Sequence, residues 1–253
     1  MHIQIKKNVA AVILAAGKGK RMQLEDRNKV TAHLANKPLI QHTVDFMHSL
    51  GIETILVVVG HRKESVMESL DGQNIIFVEQ QEQLGTGHAL QCAVNEMPEG
   101  ISDILVAYGD DAVLYAEKNI SVIENLFFLH EQKSNAVTFL TLEQKNPYGL
   151  GRIIRDKQEH IQAIIEEKDA TDEQKMIKEI NPGCFVFSVS FLRKFLPQLR
   201  KSSVTGEYYV TSLIDLAIEH HERVDTIQGG SLFWRGVNTK EELQAAEKLY
   251  NNK

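Results

Sequence analysis

Residues 9–22 read VAAVILAAGKGKRM, and this stretch decides the fold of the chain. Its first seven residues are apolar, which predicts a buried strand, and Gly17, Lys18, Gly19 and Arg21 follow directly. Glycines let backbone N–H groups approach a phosphate closely, and neighbouring cations offset the phosphate charge. The stretch matches neither the P-loop pattern nor the complete dinucleotide fingerprint. It still predicts a phosphate-binding loop, with a basic surface turn as the alternative.

Two further loops follow strand candidates in the same way. QLGTGHA at 83–89 comes after the apolar run 75–78, and YGDD at 108–111 comes directly after the apolar run 104–107. In open α/β sheets, ligands bind outside the carboxyl ends of the strands. The three loops therefore predict one shared crevice.

Apolar runs and amphipathic segments alternate through the first half of the chain. The pattern predicts strands at 9–15, 54–59, 75–78, 104–107 and 136–141, and helices at 38–50, 61–70, 86–97 and 116–132, with Pro38 as a first helical residue. This β-α-β-α order predicts an α/β fold of three layers, in which helices cover a mostly parallel, Rossmann-like sheet.

The pattern changes after residue 142. Shorter strands are predicted at 149–154, 161–165 and 184–188 around the charged stretch 166–179, which indicates a small β-rich insertion. A closing helix is predicted at 239–250, with Thr239 as its cap. Because no linker rich in Pro, Gly or Ser separates the two parts, one domain is expected over residues 1–253.

The composition argues against several classes of partner. Net charge is −6, with 43% hydrophobic and 25% charged residues, so a broad nucleic-acid-binding face is not expected. No apolar stretch has the length of a membrane span, and residues 1–10 lack the apolar core of a secretory signal. Cys92 and Cys184 have no metal-ligand spacing and are expected to be buried structural thiols, which fits a cytoplasmic location.

Eight short motifs occur in a recognisable order: LAAGKGKRM, EQLGTGHA, YGD, GRI, EEKDATDEQ, EIN, GEYYVT and GVN. In this order the chain resembles, from about residue 9 to 250, the uridylyltransferase domain of bacterial GlmU proteins, within the sugar-nucleotide pyrophosphorylases. The resemblance implies a nucleotide-diphospho-sugar transferase fold and Mg²⁺-dependent transfer from UTP to N-acetylglucosamine-1-phosphate. No hexapeptide repeats follow residue 236, so neither the acetyltransferase β-helix nor the trimer that it forms in that family is expected.

The resemblance also implies a role for individual residues. Arg21 and Lys29 would be the catalytic cations, and Asp110 with Asn238 would hold Mg²⁺, with Asp111 as the competing ligand. Nucleotide binding falls to residues of the two glycine loops, where Gln80 would read the uracil edge: Leu14, Ala15, Ala16, Gly17, Lys18, Gln80, Gly85 and Thr86. Sugar binding falls to residues of the insertion and its neighbours: Tyr108, Gly109, Gly151, Glu166, Asn181, Tyr209 and Thr211.

Several positions depart from the family pattern. Asn28 stands where the family has proline before its lysine, Lys20 replaces a threonine, Asp111 replaces a valine, and Ser212 replaces an aspartate. These departures leave open another nucleotide or hexosamine phosphate, for example in a guanylyltransferase. A non-catalytic sugar-nucleotide sensor is a separate alternative, and the retained Arg21, Lys29 and Asp110 argue against it. A dinucleotide-dependent oxidoreductase is a weaker alternative. The histidines at 88, 220 and 221 have no ligand spacing and are interpreted as surface or helix residues.

Overall fold

The computed structural model describes residues 5, 8–22, 24, 26–230, 232, 234 and 236–251, so residues 1–4, 6 and 7 of the N-terminal segment considered above lie outside it. Its strands are β1 (Val9–Leu14), β2 (His33–Leu34), β3 (Lys37–Pro38), β4 (Thr54–Val59), β5 (Ile76–Glu79), β6 (Asp103–Tyr108), β7 (Val137–Glu143), β8 (Gly151–Arg155), β9 (Ile161–Ile165), β10 (Glu179–Asn181), β11 (Phe185–Ser188) and β12 (Val224–Gln228). Its helices are α1 (Leu39–Ser49), α2 (Lys63–Ser69), α3 (Thr86–Asn95), α4 (Ile120–Lys133), α5 (Asp172–Lys175), α6 (Val189–Phe195), α7 (Ser212–Glu219) and α8 (Lys240–Asn251).

Within the described residues, ten strands form one mixed sheet in the order β5-β4-β1-β6-β11-β7-β10-β8-β9, and β12 pairs with β7. Strands β5, β4, β1 and β6 run parallel, whereas β11 is antiparallel to both of its neighbours. Beyond β7 the insertion adds β10, β8 and β9 as an antiparallel extension. The parallel half therefore carries the crevice predicted from the three loops, and the insertion continues the same sheet.

Strand β1 lies in the parallel half of the sheet, between β4 and β6, and is buried on both faces. Val12 and Leu14 pack in one core with α3, α6 and α7, whereas Ala11 and Ile13 pack in a second core with α1, α2 and α4. Each fully buried Val, Leu or Ile stabilises the fold by roughly 1.5–3 kcal/mol, so a continuous apolar run suits a strand with two covered faces. Helices cover both faces of the sheet, and the predicted three-layer α/β fold is confirmed.

Some predicted boundaries are wrong, for local reasons. Helix α1 begins at Leu39, because Pro38 is extended, with φ −54° and ψ 141°, and ends β3. Helix α2 begins at Lys63 because Arg62 has a left-handed backbone, and a 3-10 turn precedes α4. Helices α5, α6 and α7 and strands β10 and β12 have no counterpart in the sequence predictions.

The structure bears on two expectations from the composition, the burial of the two cysteines and the lack of a membrane span. Cys184 is buried as expected, but Cys92 is only half-buried. Among the described residues, no helix combines the length and apolar character that a membrane span requires.

Candidate active site

Two adjoining cavities lie at the carboxyl ends of the parallel strands. The first has a volume of about 470 Å³, and the second about 260 Å³. The first is lined by every residue predicted for the nucleotide: Leu14, Ala15, Ala16, Gly17, Lys18, Gln80, Gly85 and Thr86. The second is lined by Arg21 and by residues predicted for the sugar and the metal: Tyr108, Gly151, Glu166, Asn181, Tyr209, Asp110 and Asn238. Both cavities share Lys29, Thr86, Tyr108, Asp110 and Glu207, so they meet at the predicted centre of the chemistry.

The loop after β1 is held by main-chain bonds to neighbouring strands. Ala15 N–H donates to Val58 O at 2.9 Å, and His61 N–H donates to Ala16 O at 3.2 Å. On the other side, Gly109 N–H donates to Leu14 O at 3.1 Å. The loop is therefore fixed between β4 and β6 before any ligand binds, which lowers the entropy cost of binding.

Asn28 is 1% exposed and lies beneath this loop. Its Nδ2 donates to the carbonyl oxygens of Ala15 at 3.1 Å, Gly17 at 3.2 Å and His61 at 2.7 Å. The side chain thus connects the glycine loop to the loop that follows β4. The sequence offered no signal for this role beyond the departure from the family proline.

The backbone of Asn28 keeps the conformation that a proline would have. Its φ is −74° and its ψ is 147°, which lie in the region that proline occupies. Its N–H donates to Ser65 Oγ at 3.0 Å, and its Oδ1 accepts from Val30 N–H at 3.2 Å. The departure from the family pattern therefore preserves the chain direction into Lys29 and adds side-chain bonds that proline lacks.

Lys29 joins the two residues predicted as metal ligands. Its Nζ lies 2.5 Å from Asp110 Oδ2 and 3.0 Å from Asn238 Oδ1. The side chains of Lys29 and Asp110 are 18% and 10% exposed, so this ion pair is largely removed from water. Gly19 makes room for it, because a Cβ at that position would come within 2.8 Å of Lys29 Cβ.

Helix α8 positions Asn238. Asn238 N–H and Thr239 N–H both donate to Glu242 Oε2, at 2.7 and 3.1 Å, and Glu242 N–H donates to Thr239 Oγ1 at 3.1 Å. This is a capping box, and the predicted cap at Thr239 is confirmed. Val237 N–H donates to Asp110 O at 3.4 Å, which ties the start of α8 to the end of β6.

Asp110 and Asp111 have different surroundings. Only Asp110 contacts Lys29 and lines both cavities, whereas Asp111 lines the second cavity beside Gly236 and Trp234. Burial and the Asp110 carboxylate raise the pKa of Asp111 well above its ordinary value. The geometry therefore favours Asp110 over Asp111 as the carboxylate that meets a cation.

Gln80 is 3% exposed at the end of β5. Its Nε2 donates to Gly85 O at 3.0 Å and lies 3.0 Å from His88 Nδ1. His88 Nε2 in turn lies 3.9 Å from Cys92 Sγ. His88 is a half-buried residue of helix α3, within the interpretation as a surface or helix residue. Its contact with Gln80 was not predicted, because spacing between histidines carries no information about a glutamine on another element.

The second glycine loop is fastened to the segment that precedes α7. Tyr208 N–H donates to Leu84 O and Gly87 N–H donates to Tyr208 O, both at 2.8 Å, and Val210 N–H donates to Thr86 Oγ1 at 3.0 Å. The wall of the first cavity and the wall of the second cavity are therefore one continuous hydrogen-bonded unit.

Glu166 lies at the base of the second cavity. Thr211 Oγ1, which is 1% exposed, donates to Glu166 Oε1 at 2.9 Å. Burial raises the pKa of Glu166, and the bond from Thr211 offsets part of that effect. A Cβ at Gly151 would lie 3.6 Å from Glu166 Oε1 and 3.0 Å from Ile164, so glycine leaves space for the carboxylate.

Three further residues complete the walls or support them. Asn181 Oδ1 accepts from Gly183 N–H at 2.9 Å, and Tyr209 hydroxyl contacts Thr205 Oγ1 at 2.6 Å. Gly183 has φ 89°, and a Cβ there would overlap the ring of Tyr108.

Gly109, by contrast, packs against Val30 and Ile40. Like Thr211, Gly109 supports the cavity rather than facing into it.

The sequence predictions missed several lining residues. Lys168 and Glu207 line the first cavity, and Trp234 lines the second. The first two lie inside the EEKDATDEQ and GEYYVT motifs, which was a usable signal. The side chain of Lys20 lies outside the described part of the chain.

A larger cavity, of about 520 Å³, lies at the opposite end of the sheet, where β6 begins. His130 is buried beside it, with Nδ1 3.0 Å from Thr138 Oγ1 and Nε2 3.2 Å from Asp103 Oδ1. Its position away from the carboxyl ends of the parallel strands separates it from the glycine loops.

The chain is similar to several known proteins. The family described as MobA-like NTP transferase domain matches residues 11–181. The bifunctional proteins GlmU of Francisella tularensis subsp. novicida and subsp. tularensis are each 40% identical over 243 residues, which is 96% of this chain and 51% of theirs. This chain therefore spans about half the length of these curated relatives.

A solved structure from Bacillus anthracis, assigned as a glucose-1-phosphate thymidylyltransferase in complex with a sucrose, has the same fold. It superposes with a TM-score of 0.79 at 19% identity and covers 97% of this chain and 96% of its own.

Proposed function

Because this chain belongs to the MobA-like NTP transferase domains, and is therefore a nucleotidyltransferase, we propose that it joins UTP to N-acetylglucosamine-1-phosphate. An oxygen of the sugar phosphate attacks the α-phosphorus of UTP. The bond from the α-phosphorus to the oxygen that bridges it to the β-phosphorus breaks, and pyrophosphate leaves. The products are UDP-N-acetylglucosamine and pyrophosphate.

The observation that carries this proposal is the meeting of the two cavities at Lys29 and Asp110. A transfer between two phosphorylated substrates needs both within bonding distance at one point, with charge compensation there. Here the first cavity has backbone from two glycine loops, and the second has acceptors and donors suited to sugar hydroxyls. We infer that residues up to about 142 bind the nucleotide and that the remainder binds the sugar and closes the fold.

Lys29 and Arg21 supply the positive charge. Lys29 lies at the boundary between the cavities, so it can contact phosphates on either side of the reacting phosphorus. Arg21 lines the second cavity, is exposed, and lies near Gly149, where its guanidinium can bind two phosphate oxygens at once. Both cations would stabilise the charge that grows as pyrophosphate leaves.

Asp110 and Asn238 fit a divalent cation. Lys29 Nζ contacts one oxygen of each, so these oxygens already converge on a single positive charge. No group of three or more His, Cys, Asp or Glu in the described part of the chain could hold a metal ion. Mg²⁺ suits such a sparse site, because it often binds through one or two protein oxygens together with phosphate and water. When bound, Mg²⁺ neutralises charge on the nucleotide phosphates and orients them.

The test is pyrophosphate release over a matrix of UTP, dTTP, CTP, GTP and ATP against N-acetylglucosamine-1-phosphate, glucosamine-1-phosphate and glucose-1-phosphate. The highest kcat/KM is expected for UTP with N-acetylglucosamine-1-phosphate. A preference for GTP would instead support the guanylyltransferase alternative. Binding of sugar nucleotides without turnover for any pair would support the non-catalytic alternative.

A further inference from the structure

Two acceptors together hold the carboxamide of Gln80 in its orientation, and Gly85 O is the first of them. One end of it lies 3.0 Å from Gly85 O, and a carbonyl oxygen can only accept, so this end is the NH₂ group. The main chain holds both partners in place. Gln80 N–H donates to Val59 O at 2.8 Å, and Gly85 has φ 110°, with any Cβ there 2.8 Å from the nitrogen of Tyr208.

His88 accepts the second hydrogen of that NH₂ group. Its Nδ1 lies 3.0 Å from the same Gln80 Nε2, so His88 must be the neutral tautomer with its hydrogen on Nε2. That Nε2–H faces Cys92 Sγ at 3.9 Å, one turn further along α3. Burial raises the pKa of the Cys92 thiol, so the sulfur stays neutral and can accept.

The oxygen of the Gln80 carboxamide is therefore the atom left for a ligand. Gln80 lines the nucleotide cavity, and both hydrogens of its NH₂ group are used by Gly85 and His88. A fixed acceptor selects a base that offers a donor at the same place. Uracil carries a hydrogen on N3, whereas N3 of cytosine is itself an acceptor and would face the oxygen unpaired.

We propose that His88 is a positioning residue that sets base selectivity, by holding the Gln80 carboxamide with its oxygen toward the base. The proposal rests on uridylyl transfer as the function and explains how the same site rejects cytosine. If the partner at position 88 could only donate, it would favour the reversed carboxamide, against the preference of Gly85 O for the NH₂ group. In the reversed population the base would meet an NH₂ group, which suits N3 of cytosine and not N3–H of uracil.

Two variants test the proposal, one by removing the acceptor at position 88 and one by replacing it with a donor. His88→Phe keeps a ring of similar size but removes the acceptor, and His88→Lys replaces the acceptor with a group that only donates. His220→Phe is the matched control, because His220 packs on Phe195, with ring centroids 4.8 Å apart, outside the residues that line the two cavities. For each protein, the Kd of UTP and CTP is measured by calorimetry, and kcat/KM is measured for both with N-acetylglucosamine-1-phosphate.

Wild type and His220→Phe are expected to prefer UTP over CTP by the same ratio. In His88→Phe the ratio should fall on the order of tenfold, because the carboxamide is no longer held in one orientation. In His88→Lys the ratio should fall further, and the Kd of CTP should improve in absolute terms.

If His88 had a purely structural role, its replacement would weaken the binding of UTP and of CTP equally and leave the UTP-to-CTP preference unchanged. That result in both variants would overturn the proposal. A wild-type protein without preference for UTP over CTP would overturn the uridine assignment as well. A clear preference in wild type with unchanged ratios in the variants would overturn the role of His88 alone.

Discussion

Asn28 connects loops that reach the candidate site from different strands. Its three carbonyl acceptors belong to the loops after β1 and β4, and its backbone leads directly into Lys29. A buried carboxamide can hold several acceptors at once, and each acceptor becomes costly when its partner is removed. The position of the loop after β1, which we propose binds phosphate, therefore depends on the Asn28 side chain as well as on its main-chain bonds to the neighbouring strands.

Replacement of Asn28 by alanine is expected to affect both stability and nucleotide binding. Asn28→Ala should lower the free energy of unfolding by about 3 kcal/mol, because buried carbonyls lose their donor. It should also raise KM for UTP more than KM for the sugar phosphate. Asn28→Pro should keep the backbone direction but show the same KM pattern.

Asn119→Ala provides the control, since Asn119 is 3% exposed and donates to Leu114 O at 2.8 Å away from both cavities. Chemical denaturation gives the free energy of unfolding of the three variants, and steady-state kinetics gives their KM for each substrate. Equal KM effects for both substrates in Asn28→Ala would contradict a specific role in the loop.

Lys29 competes with any cation for the same two oxygens. A divalent cation held by Asp110 and Asn238 would compete for these oxygens with the Lys29 ammonium, whose nitrogen lies 2.5 and 3.0 Å from them. If Mg²⁺ binds there as proposed, it would displace Lys29, and the phosphates of a nucleotide would offer the displaced ammonium a new partner. Free Mg²⁺ should accordingly bind weakly in the absence of nucleotide.

Removal of the ammonium is expected to strengthen binding of free metal. Lys29→Met should bind Mn²⁺, without nucleotide, on the order of tenfold more tightly than wild type, measured by electron paramagnetic resonance. Lys18→Met, at the exposed mouth of the same cavity, removes a charge of the same sign and should change the affinity much less. If both variants gain equally, the effect is general electrostatics and not competition at the two oxygens. If Asp110→Asn leaves the affinity of Lys29→Met unchanged, the metal site lies elsewhere.

Among the elements, α8 begins two residues after Asn238, the proposed metal ligand. Its capping box uses Glu242 to hold the backbone at Asn238, while Thr239 caps the helix. Loss of an N-cap typically costs about 1 kcal/mol, and here it would also loosen a proposed metal ligand. Stability and metal requirement should therefore change together.

Thr239→Ala is expected to lower the free energy of unfolding by about 1 kcal/mol and to raise the Mg²⁺ concentration needed for half-maximal turnover. A second capping box supplies the comparison: Thr171 caps α5 and is bonded reciprocally to Gln174. Thr171→Ala should cost similar stability with no change in Mg²⁺ requirement. Thermal unfolding and a Mg²⁺ titration of both variants distinguish the two, and an identical Mg²⁺ response would show that the cap does not position Asn238.

Elements with strong local patterns were predictable, and those defined by distant partners were not. The apolar run of β1 and the cap at Thr239 are visible in the sequence because burial on two faces and capping leave local signatures. Strand β12 reads VDTIQ and is only half-buried, so its pairing with β7 leaves no apolar run to detect. The same holds within the site, since the contact of Gln80 with His88 arises only once β5 and α3 are placed together.

At the scale of the whole molecule, the insertion packs against α7, and Glu166 lies at this contact. This carboxylate lies in the second cavity and accepts from Thr211 at the start of α7. Because burial raises its pKa, the folded chain holds a proton on Glu166 more tightly than the unfolded chain does. Stability is therefore lost as pH rises from the ordinary pKa of a glutamate through the raised one, and the full cost persists above it.

Glu166→Gln is expected to remove this cost while weakening substrate binding. Relative to wild type, the variant should gain stability as pH is raised from 4 to 8, whereas KM for the sugar phosphate should rise about tenfold through loss of a charged acceptor. Glu173→Gln, at an exposed position of α5, is the control and should change neither quantity. Thermal unfolding across pH, with kinetics at pH 8, provides the measurement. A stability difference that stays constant with pH would show that Glu166 titrates as it does in the unfolded chain.

The absence of a side chain at Gly183 limits which substitutions this position can accept. A single methyl group there would overlap the ring of Tyr108, and that ring lines both cavities. Gly183 also needs φ 89°, which disfavours other residues for a separate reason. Relief of the overlap would require the Tyr108 ring to move, and Tyr108 lies where the two cavities meet. A Gly183→Ala variant could therefore fold and still be inactive. The displaced Tyr108 ring would act as an inhibitor within the chain itself, which neither dilution nor excess substrate could remove.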